Sequence, residues 1–123
     1  MDEELLGFIK AAVGSVWALE LLLFMRGHPD RAWRSQELAR ELRSNQRLAS
    51  GALATFEAAG LLARRDEGYA YAPAAPGLDT LAGRLADTYR ERPVAVVNAI
   101  VSARSDGIQG FADAFRLKGG PGK

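Results

Sequence analysis

The chain contains no cysteine and only one histidine, His28, among its 123 residues. Without cysteine it has no disulfides, no thiolate catalysis and no cysteine-ligated metal, and a single histidine rules out a histidine-rich metal site. No pair of carboxylates stands out as sharing a cleft, and no glycine-rich loop follows a strand to open a helix. We therefore expect a protein that is not an enzyme and that binds no metal or cofactor.

An excess of charge of one sign is also missing, because 16 basic residues stand against 15 acidic ones and give a net charge of +1. No global field favours nucleic acid or an acidic membrane, so any basic surface must be local. The longest apolar run, residues 11–25, carries Glu20 and is shorter than the ~20 apolar residues of a membrane span. The acidic start of the chain differs from the basic start of a secretory signal. These absences predict a soluble cytoplasmic protein with no membrane contact.

Hydrophobic residues make up 48% of the chain, enough for the core of one globular domain, which we expect over residues 1–117. Apolar positions at helical spacing predict one long helix or two abutting helices over residues 3–26. From Val16 onward apolar residues occupy nearly every side of this region, so it must be covered all round. A second subunit would supply that cover, and we expect a homodimer. The alternative is a central core helix in a monomer.

The middle of the chain begins with two predicted helices. Ser35 is a suitable N-cap for the first, over residues 36–43, because its hydroxyl can accept from the exposed amides of the first turn. Residues 44–45 form a turn, and either of them can cap the second helix, over residues 46–59. Gly60 ends that helix at the C-cap position.

A hairpin follows, with strands predicted at residues 61–64 and 69–72 on either side of a turn sequence. Gly68 can take the positive φ that hairpin loops need. Residues 33–34 have room for a further, very short strand, so that the central unit spans residues 33–72.

Further helices are predicted after the hairpin. Residues 78–89 have the apolar spacing of an amphipathic helix, and Pro93 suits the first position of an apolar helix over residues 94–103. A short last helix is predicted at residues 108–115. By residue number, the predicted organisation is N-terminal helix or helices 3–26, helices and hairpin 33–72, C-terminal helices 76–117 and a disordered tail 118–123.

The central unit carries a set of motifs in a fixed order: Glu-Leu-Ala-Arg-Glu-Leu at 37–42, Ala-Leu at 52–53, Phe-Glu-Ala-Ala-Gly-Leu-Leu at 56–62 and Arg-Arg-Asp-Glu-Gly-Tyr at 64–69. With these motifs it resembles the winged helix-turn-helix of bacterial MarR-type and ArsR-type transcription regulators. The resemblance implies a mainly α fold with a small β-hairpin (α+β). In that fold, N- and C-terminal helices flank the winged helix-turn-helix and form a dimer interface. No subfamily is assigned.

The resemblance also implies a DNA-binding transcription regulator that reads its site as a homodimer through helix 46–59 and the wing 61–72. Arg47 could bind guanine, Gln46 could pair with adenine, and Ser50 could reach a phosphate or a base edge. The full set of implied DNA contacts is Gln46, Arg47, Ser50, Arg64, Arg65, Arg34, Arg40 and Arg43. The implied dimer contacts are Ile9, Val13, Trp17, Leu85, Tyr89, Val97 and Ile100.

The outward face of the second helix also allows a protein partner. Over residues 26–72, 8 arginines stand against 6 acidic residues, a balance of only 8 − 6 = +2, and Arg47 is the one basic residue predicted on that face. Its neighbours Ser50, Gly51 and Ala54 make a small, nearly flat surface that suits a phosphate backbone or another protein's helix. The alternative function is therefore a winged-helix interaction module, an adaptor without specific DNA binding.

Overall fold

The computed structural model describes residues 1–103, and the helix predicted at 108–115 and the tail predicted at 118–123 lie outside this part of the chain. The described part is mainly helical with a small antiparallel hairpin, which confirms the mainly α, α+β class. Its elements in chain order are α1 (Glu3–Ala12), α2 (Val16–Arg26), α3 (Ser35–Glu41), α4 (Gln46–Ala58), β1 (Leu62–Arg65), β2 (Gly68–Tyr71), α5 (Pro76–Glu91) and α6 (Pro93–Ala103).

The N-terminal apolar region forms two helices, each with its own cap. Asp2 Oδ1 accepts a hydrogen bond from the Leu5 N–H at 2.9 Å and starts α1. Ser15 Oγ accepts from the Ala18 N–H at 3.0 Å and starts α2. Within residues 1–103, no single helix is both long enough and apolar enough to cross a membrane. The helices α1 and α2 reach the required length and composition only as a pair, and they are bent by 101°.

The second helix, α2, lies at the centre of the core. Leu19, Leu21, Leu22 and Met25 are fully buried, and the helix packs against α4 and β2. The chain itself therefore covers α2, as in the monomer alternative, and the cover of this helix gives no reason for a second subunit. The homodimer stays a prediction.

The helix α3 starts and ends differently from the prediction. Its N-cap is Arg34 and not Ser35, because Glu37 Oε1 reaches back and accepts from the Arg34 backbone N–H at 2.9 Å. The helix ends at Glu41, before the predicted end at residue 43, because Arg43 takes a left-handed conformation with a φ of 54°. The turn between the two helices is therefore longer than the predicted pair of residues.

The helix α4 follows the prediction closely. Asn45 is its N-cap, since the side-chain Oδ1 accepts from the Leu48 N–H at 2.9 Å. The helix ends at Ala58, one residue before the predicted end. Gly60 then takes a φ of 85°, the left-handed conformation that glycine favours after a helix.

The hairpin loop differs from the prediction. Arg65 pairs with Gly68 at the end of the ladder, so the loop contains only Asp66 and Glu67. These two residues have φ angles of 50° and 65°. The prediction that Gly68 supplies the positive φ was therefore wrong, and two non-glycine residues take a conformation that such residues rarely adopt.

Gly68 is required for a different reason. Trp33 pairs with Tyr69 in an isolated β-bridge through N–H···O bonds of 2.7 and 2.8 Å, so a one-residue bridge stands where a very short strand was predicted. A Cβ atom on Gly68 would lie 2.6 Å from the carbonyl oxygen of Trp33. The glycine therefore lets the segment before α3 run directly beside β2.

The last two helices close the core. The helix α5 extends two residues beyond the predicted range at each end, from Pro76 to Glu91. A proline suits its first turn because it has no N–H to satisfy there. The helix α6 begins at Pro93, as predicted, and buries Val96 and Ile100 against the other elements.

Candidate functional site

The outer face of α4 carries three of the side chains predicted to contact DNA. The inner face is fixed by Ala49, Leu53 and Phe56, which are fully buried. The five residues predicted on the opposite face are all exposed: Gln46, Arg47, Ser50, Gly51 and Ala54. The structure therefore brings Gln46, Arg47 and Ser50 together on one accessible surface.

The turn before α4 is anchored to the core, which fixes the direction of the helix. The Trp17 indole Nε1–H donates to the Leu42 carbonyl oxygen at 3.3 Å. The Ser44 N–H donates to the Ala39 carbonyl oxygen at 2.7 Å. Between these two contacts, Arg43 lies exposed on the surface of the turn. The two contacts therefore fix the turn on which Arg43 stands immediately before the start of α4.

The six arginines predicted to contact DNA fall into two groups. Arg34 Nη2 lies 3.2 Å from Glu67 Oε1, and Arg64 Nε lies 3.9 Å from Glu57 Oε2. The other four have no carboxylate within ion-pairing distance in the part of the chain that the structure describes: Arg40, Arg43, Arg47 and Arg65. These four cations are available to an anionic ligand without breaking an existing ion pair.

Three of the predicted contacts line one cleft. Arg34, Arg40 and Arg65 border a polar cleft of about 640 Å³ between the start of α3 and the tip of the hairpin. The sequence placed these arginines on separate elements, and the bridge between Trp33 and Tyr69 brings the elements together. The cleft is therefore the second place where predicted DNA contacts meet.

One ion pair in this cleft has a structural role. Arg31 Nη2 lies 2.9 Å from both carboxylate oxygens of Glu37, and the Arg31 guanidinium stacks 3.8 Å from the centre of the Trp33 ring. The Arg34 backbone N–H, and then Arg31, lower the pKa of Glu37 below its ordinary value. Arg31 and Glu37 together stabilise the start of α3. Because its charge is neutralised by Glu37, Arg31 adds little positive charge to the cleft.

An apolar groove beside α4 was missed by the sequence reasoning. Leu48 is 56% exposed and lines a groove of about 400 Å³ together with Trp17, Phe56 and residues of the junction between α1 and α2. Arg47 stands at its edge. The signal was present in the sequence, because Leu48 lies outside the apolar stripe that gives α4 its inner face.

The predicted dimer contacts lie mostly inside one chain. Ile9, Val13, Leu85 and Ile100 are buried in the core, and Trp17 and Tyr89 pack against it. Val97 is half-buried on α6. On the helices of residues 1–103, the large apolar side chains that are exposed are instead Leu6, Leu48, Val94 and Val101. The role of the seven predicted residues in a dimer stays a prediction.

The single histidine has a local contact. Its ring Nδ1 lies 2.8 Å from the Phe24 carbonyl oxygen, and the ring packs against the rings of Phe24 and Trp33. Within residues 1–103, no three histidine, aspartate or glutamate side chains come close enough to hold a metal ion.

Comparisons of the chain with protein-family models, with curated proteins and with solved structures find no match. The function must therefore be argued from the surface of α4, the cleft and the hairpin.

Proposed function

We propose that this chain is a winged-helix transcription regulator that binds double-stranded DNA. In this proposal α4 enters the major groove, and the hairpin of β1 and β2 is the wing that lies on the flanking backbone. A helix of this width fits the major groove of B-form DNA. The observation that carries the proposal is the set of four arginines without a carboxylate partner among residues 1–103: Arg40, Arg43, Arg47 and Arg65.

The first turns of α4 would read the bases. Arg47 and Gln46 are long, exposed and close to the start of the helix, so Arg47 would bind guanine O6 and N7, and Gln46 would pair with adenine. Gly51 and Ala54 add no bulk to the same face. Their small size would let the helix backbone approach the floor of the groove closely.

The cleft and the turn would hold the sugar-phosphate backbone. Arg40 and Arg65 face the same polar cleft from α3 and from the hairpin, and Arg43 lies on the turn before α4. Guanidinium groups suit this role because they bind phosphate oxygens in a bidentate geometry. These contacts would set the position of the protein on the duplex and carry no sequence information.

A DNA titration tests this function directly. If each protomer of a dimer neutralises about three phosphates, log K against log salt should fall with a slope of roughly −5. The measurement uses labelled genomic fragments at low and moderate salt. Binding that is absent, or that does not change with salt, would count against the proposal.

A homodimer remains part of the proposal, and it is now supported by a different surface. Val94 is 69% exposed and Val101 is 54% exposed on α6. At helical spacing they share one side of the helix with the half-buried Val97. A second chain would cover this apolar side and join two weak DNA half-sites into one binding unit. Light scattering at micromolar concentration tests the association, and a monomer would remove it.

A protein-binding module is the second candidate, and the groove at Leu48 favours it. An exposed leucine beside an apolar groove is the kind of surface into which a partner helix packs. Substituting Arg40 and Arg65 by Glu separates the two functions, because both line the cleft and neither lines the groove at Leu48. DNA affinity collapses under the first, whereas a partner bound at Leu48 is retained under the second.

A further inference from the structure

The carboxylate of Glu67 forms an ion pair with Arg34, one of the arginines predicted to contact DNA. Arg34 Nη2 donates to Glu67 Oε1 at 3.2 Å, and this bond joins the start of α3 to the tip of the hairpin. Both side chains are exposed, at 57% and 82%. Water or an arriving anion can therefore reach this ion pair from the solvent.

The backbone at Glu67 is held in an unfavourable conformation. Its φ is 65°, and the preceding Asp66 has a φ of 50°. Two-residue hairpin loops of this kind usually contain asparagine and glycine, which take positive φ at little cost. A non-glycine residue held in this region points to a functional constraint on that position. Here the strained turn aims the Glu67 carboxylate at Arg34.

An exposed ion pair is weak enough to be exchanged. Such pairs shift an equilibrium by about 1.5-fold to 5-fold. A phosphate oxygen offers the same guanidinium a charge-assisted hydrogen bond, and the exchange releases condensed counterions from the duplex. DNA can therefore displace Glu67 from Arg34. The affinity of the protein for DNA is lowered by the free energy needed to break the ion pair.

We propose that Glu67 acts as an internal competitor for DNA phosphate, which it does by occupying Arg34 in the unbound protein. This inference rests on the proposed DNA-binding function and concerns the affinity of the same surface. Binding then requires that Arg34 exchanges a carboxylate for a phosphate. The protein's affinity for any duplex is lower than its exposed arginines alone would give.

A second carboxylate acts in the same way but more weakly. Glu57 Oε2 lies 3.9 Å from Arg64 Nε, beyond hydrogen-bond distance. The Arg64 guanidinium also lies 5.1 Å from the centre of the Tyr69 ring, which limits its freedom independently of Glu57. Removing the Glu57 charge should therefore raise DNA affinity less than removing the Glu67 charge.

The test compares Glu67→Gln with Asp66→Asn in the full chain. Asp66 is the control for general charge repulsion because it lies in the same two-residue loop, lines the cleft, is exposed and has no ion pair within residues 1–103. Both variants remove one negative charge from the same loop, but only Glu67→Gln releases a guanidinium. Glu67→Gln should tighten binding to a duplex by about 1.5-fold to 5-fold more than Asp66→Asn. The slope of log K against log salt should not become steeper, because Arg34 contacts one phosphate in the bound state of both chains.

A second background separates competition from general repulsion. In an Arg34→Gln chain, Glu67→Gln should have no more effect than Asp66→Asn, because no guanidinium is released. An equal gain of affinity in both backgrounds would overturn the inference and show that Glu67 acts only through its charge. Glutamine keeps the shape and the positive φ of the residue, and thermal melting confirms that the variants are folded.

The outcomes also distinguish this inference from the function on which it rests. If the wild-type chain binds DNA and Glu67→Gln matches Asp66→Asn in affinity, the competition is contradicted and DNA binding stands. If neither the wild-type chain nor Glu67→Gln binds DNA at low salt, both proposals fall together.

Discussion

A Cβ atom on Gly68 would lie 2.6 Å from the carbonyl oxygen of Trp33, so a glycine sets how closely the hairpin approaches the segment before α3. The atoms it would meet belong to the backbone, which cannot turn aside as the end of a flexible side chain can. Trp33 in turn pairs with Tyr69 on β2. This contact therefore brings Arg65 of the hairpin and Arg40 of α3 to the same cleft.

Substituting Gly68 by Ala should lower the free energy of unfolding by about 1 to 3 kcal/mol, because a carbon atom is forced into an occupied space. The control is Gly7→Ala on α1, where a Cβ meets nothing within 4 Å. That control should raise stability by about 0.5 to 1 kcal/mol, since alanine favours a helix. Urea denaturation measures both, and equal effects of the two substitutions would contradict the close contact at Trp33.

Local sequence patterns predicted the features that local forces determine. The cap at Asn45, the start of α6 at Pro93 and the end of α4 near Gly60 each depend on atoms a few residues apart. Gly68 could not be understood in this way, because the constraint on it comes from Trp33, which is distant in sequence. The same holds for the end of α3, where Arg43 rather than a glycine takes the left-handed conformation.

The sequence predicted which residues of the candidate site are exposed. It did not predict which of its arginines are neutralised by a carboxylate. Periodicity placed Arg47 on the exposed side of α4. It could not show that Arg34 is paired with Glu67 while Arg40 is not, because that depends on how the hairpin packs. An apolar stripe likewise predicts that Leu85 is buried, but it does not show which chain covers it.

The free energy of unfolding should fall at alkaline pH because of the buried hydroxyl of Tyr71 and its contact with Asp79. Tyr71 Oη donates to Asp79 Oδ1 at 2.6 Å, and burial, followed by the Asp79 carboxylate, raises the pKa of Tyr71 from 10.0 to about 12. Because the folded pKa lies above the unfolded one, this contribution is fully present below pH 10 and is lost as the pH rises toward 12.

Substituting Tyr71 by Phe should therefore have two effects. Near neutral pH it should lower the free energy of unfolding by about 1 kcal/mol, the net value of a typical hydrogen bond. Between about pH 10 and 12 the variant should lose less stability than the wild-type chain, since its side chain no longer releases a proton. Urea midpoints measured across this range check both effects, and parallel pH profiles of the two chains would contradict the account.

The N-cap of α4 stabilises the start of the helix that we propose enters DNA. Asn45→Ala removes the acceptor for the Leu48 N–H and should cost about 1 kcal/mol. Asn45→Ser keeps an oxygen at the same place and should retain most of that stability. Thermal unfolding compares the three chains. If the serine variant is as unstable as the alanine variant, the cap bond is not what stabilises the start of α4.

Leu48→Ser tests the protein-binding candidate, because it removes the exposed leucine of the apolar groove and leaves the arginines in place. The leucine is 56% exposed, so the substitution should change stability by no more than about 0.5 kcal/mol. DNA affinity should change by a similarly small amount if Arg47, Gln46 and Ser50 read the bases. A large loss of DNA affinity in a folded Leu48→Ser chain would show that the groove takes part in DNA binding.

The most direct test of the proposed function is a fluorescence anisotropy titration of labelled genomic DNA with the wild-type chain and with the double variant Arg47→Glu and Arg65→Glu. The double variant Arg90→Glu and Arg92→Glu at the end of α5 is the control for the same change of net charge. The account predicts that the wild-type chain and the control bind with a steep dependence on salt, and that the double variant loses binding at every salt concentration. Equal binding by all three chains, or no binding by the wild-type chain, would contradict it.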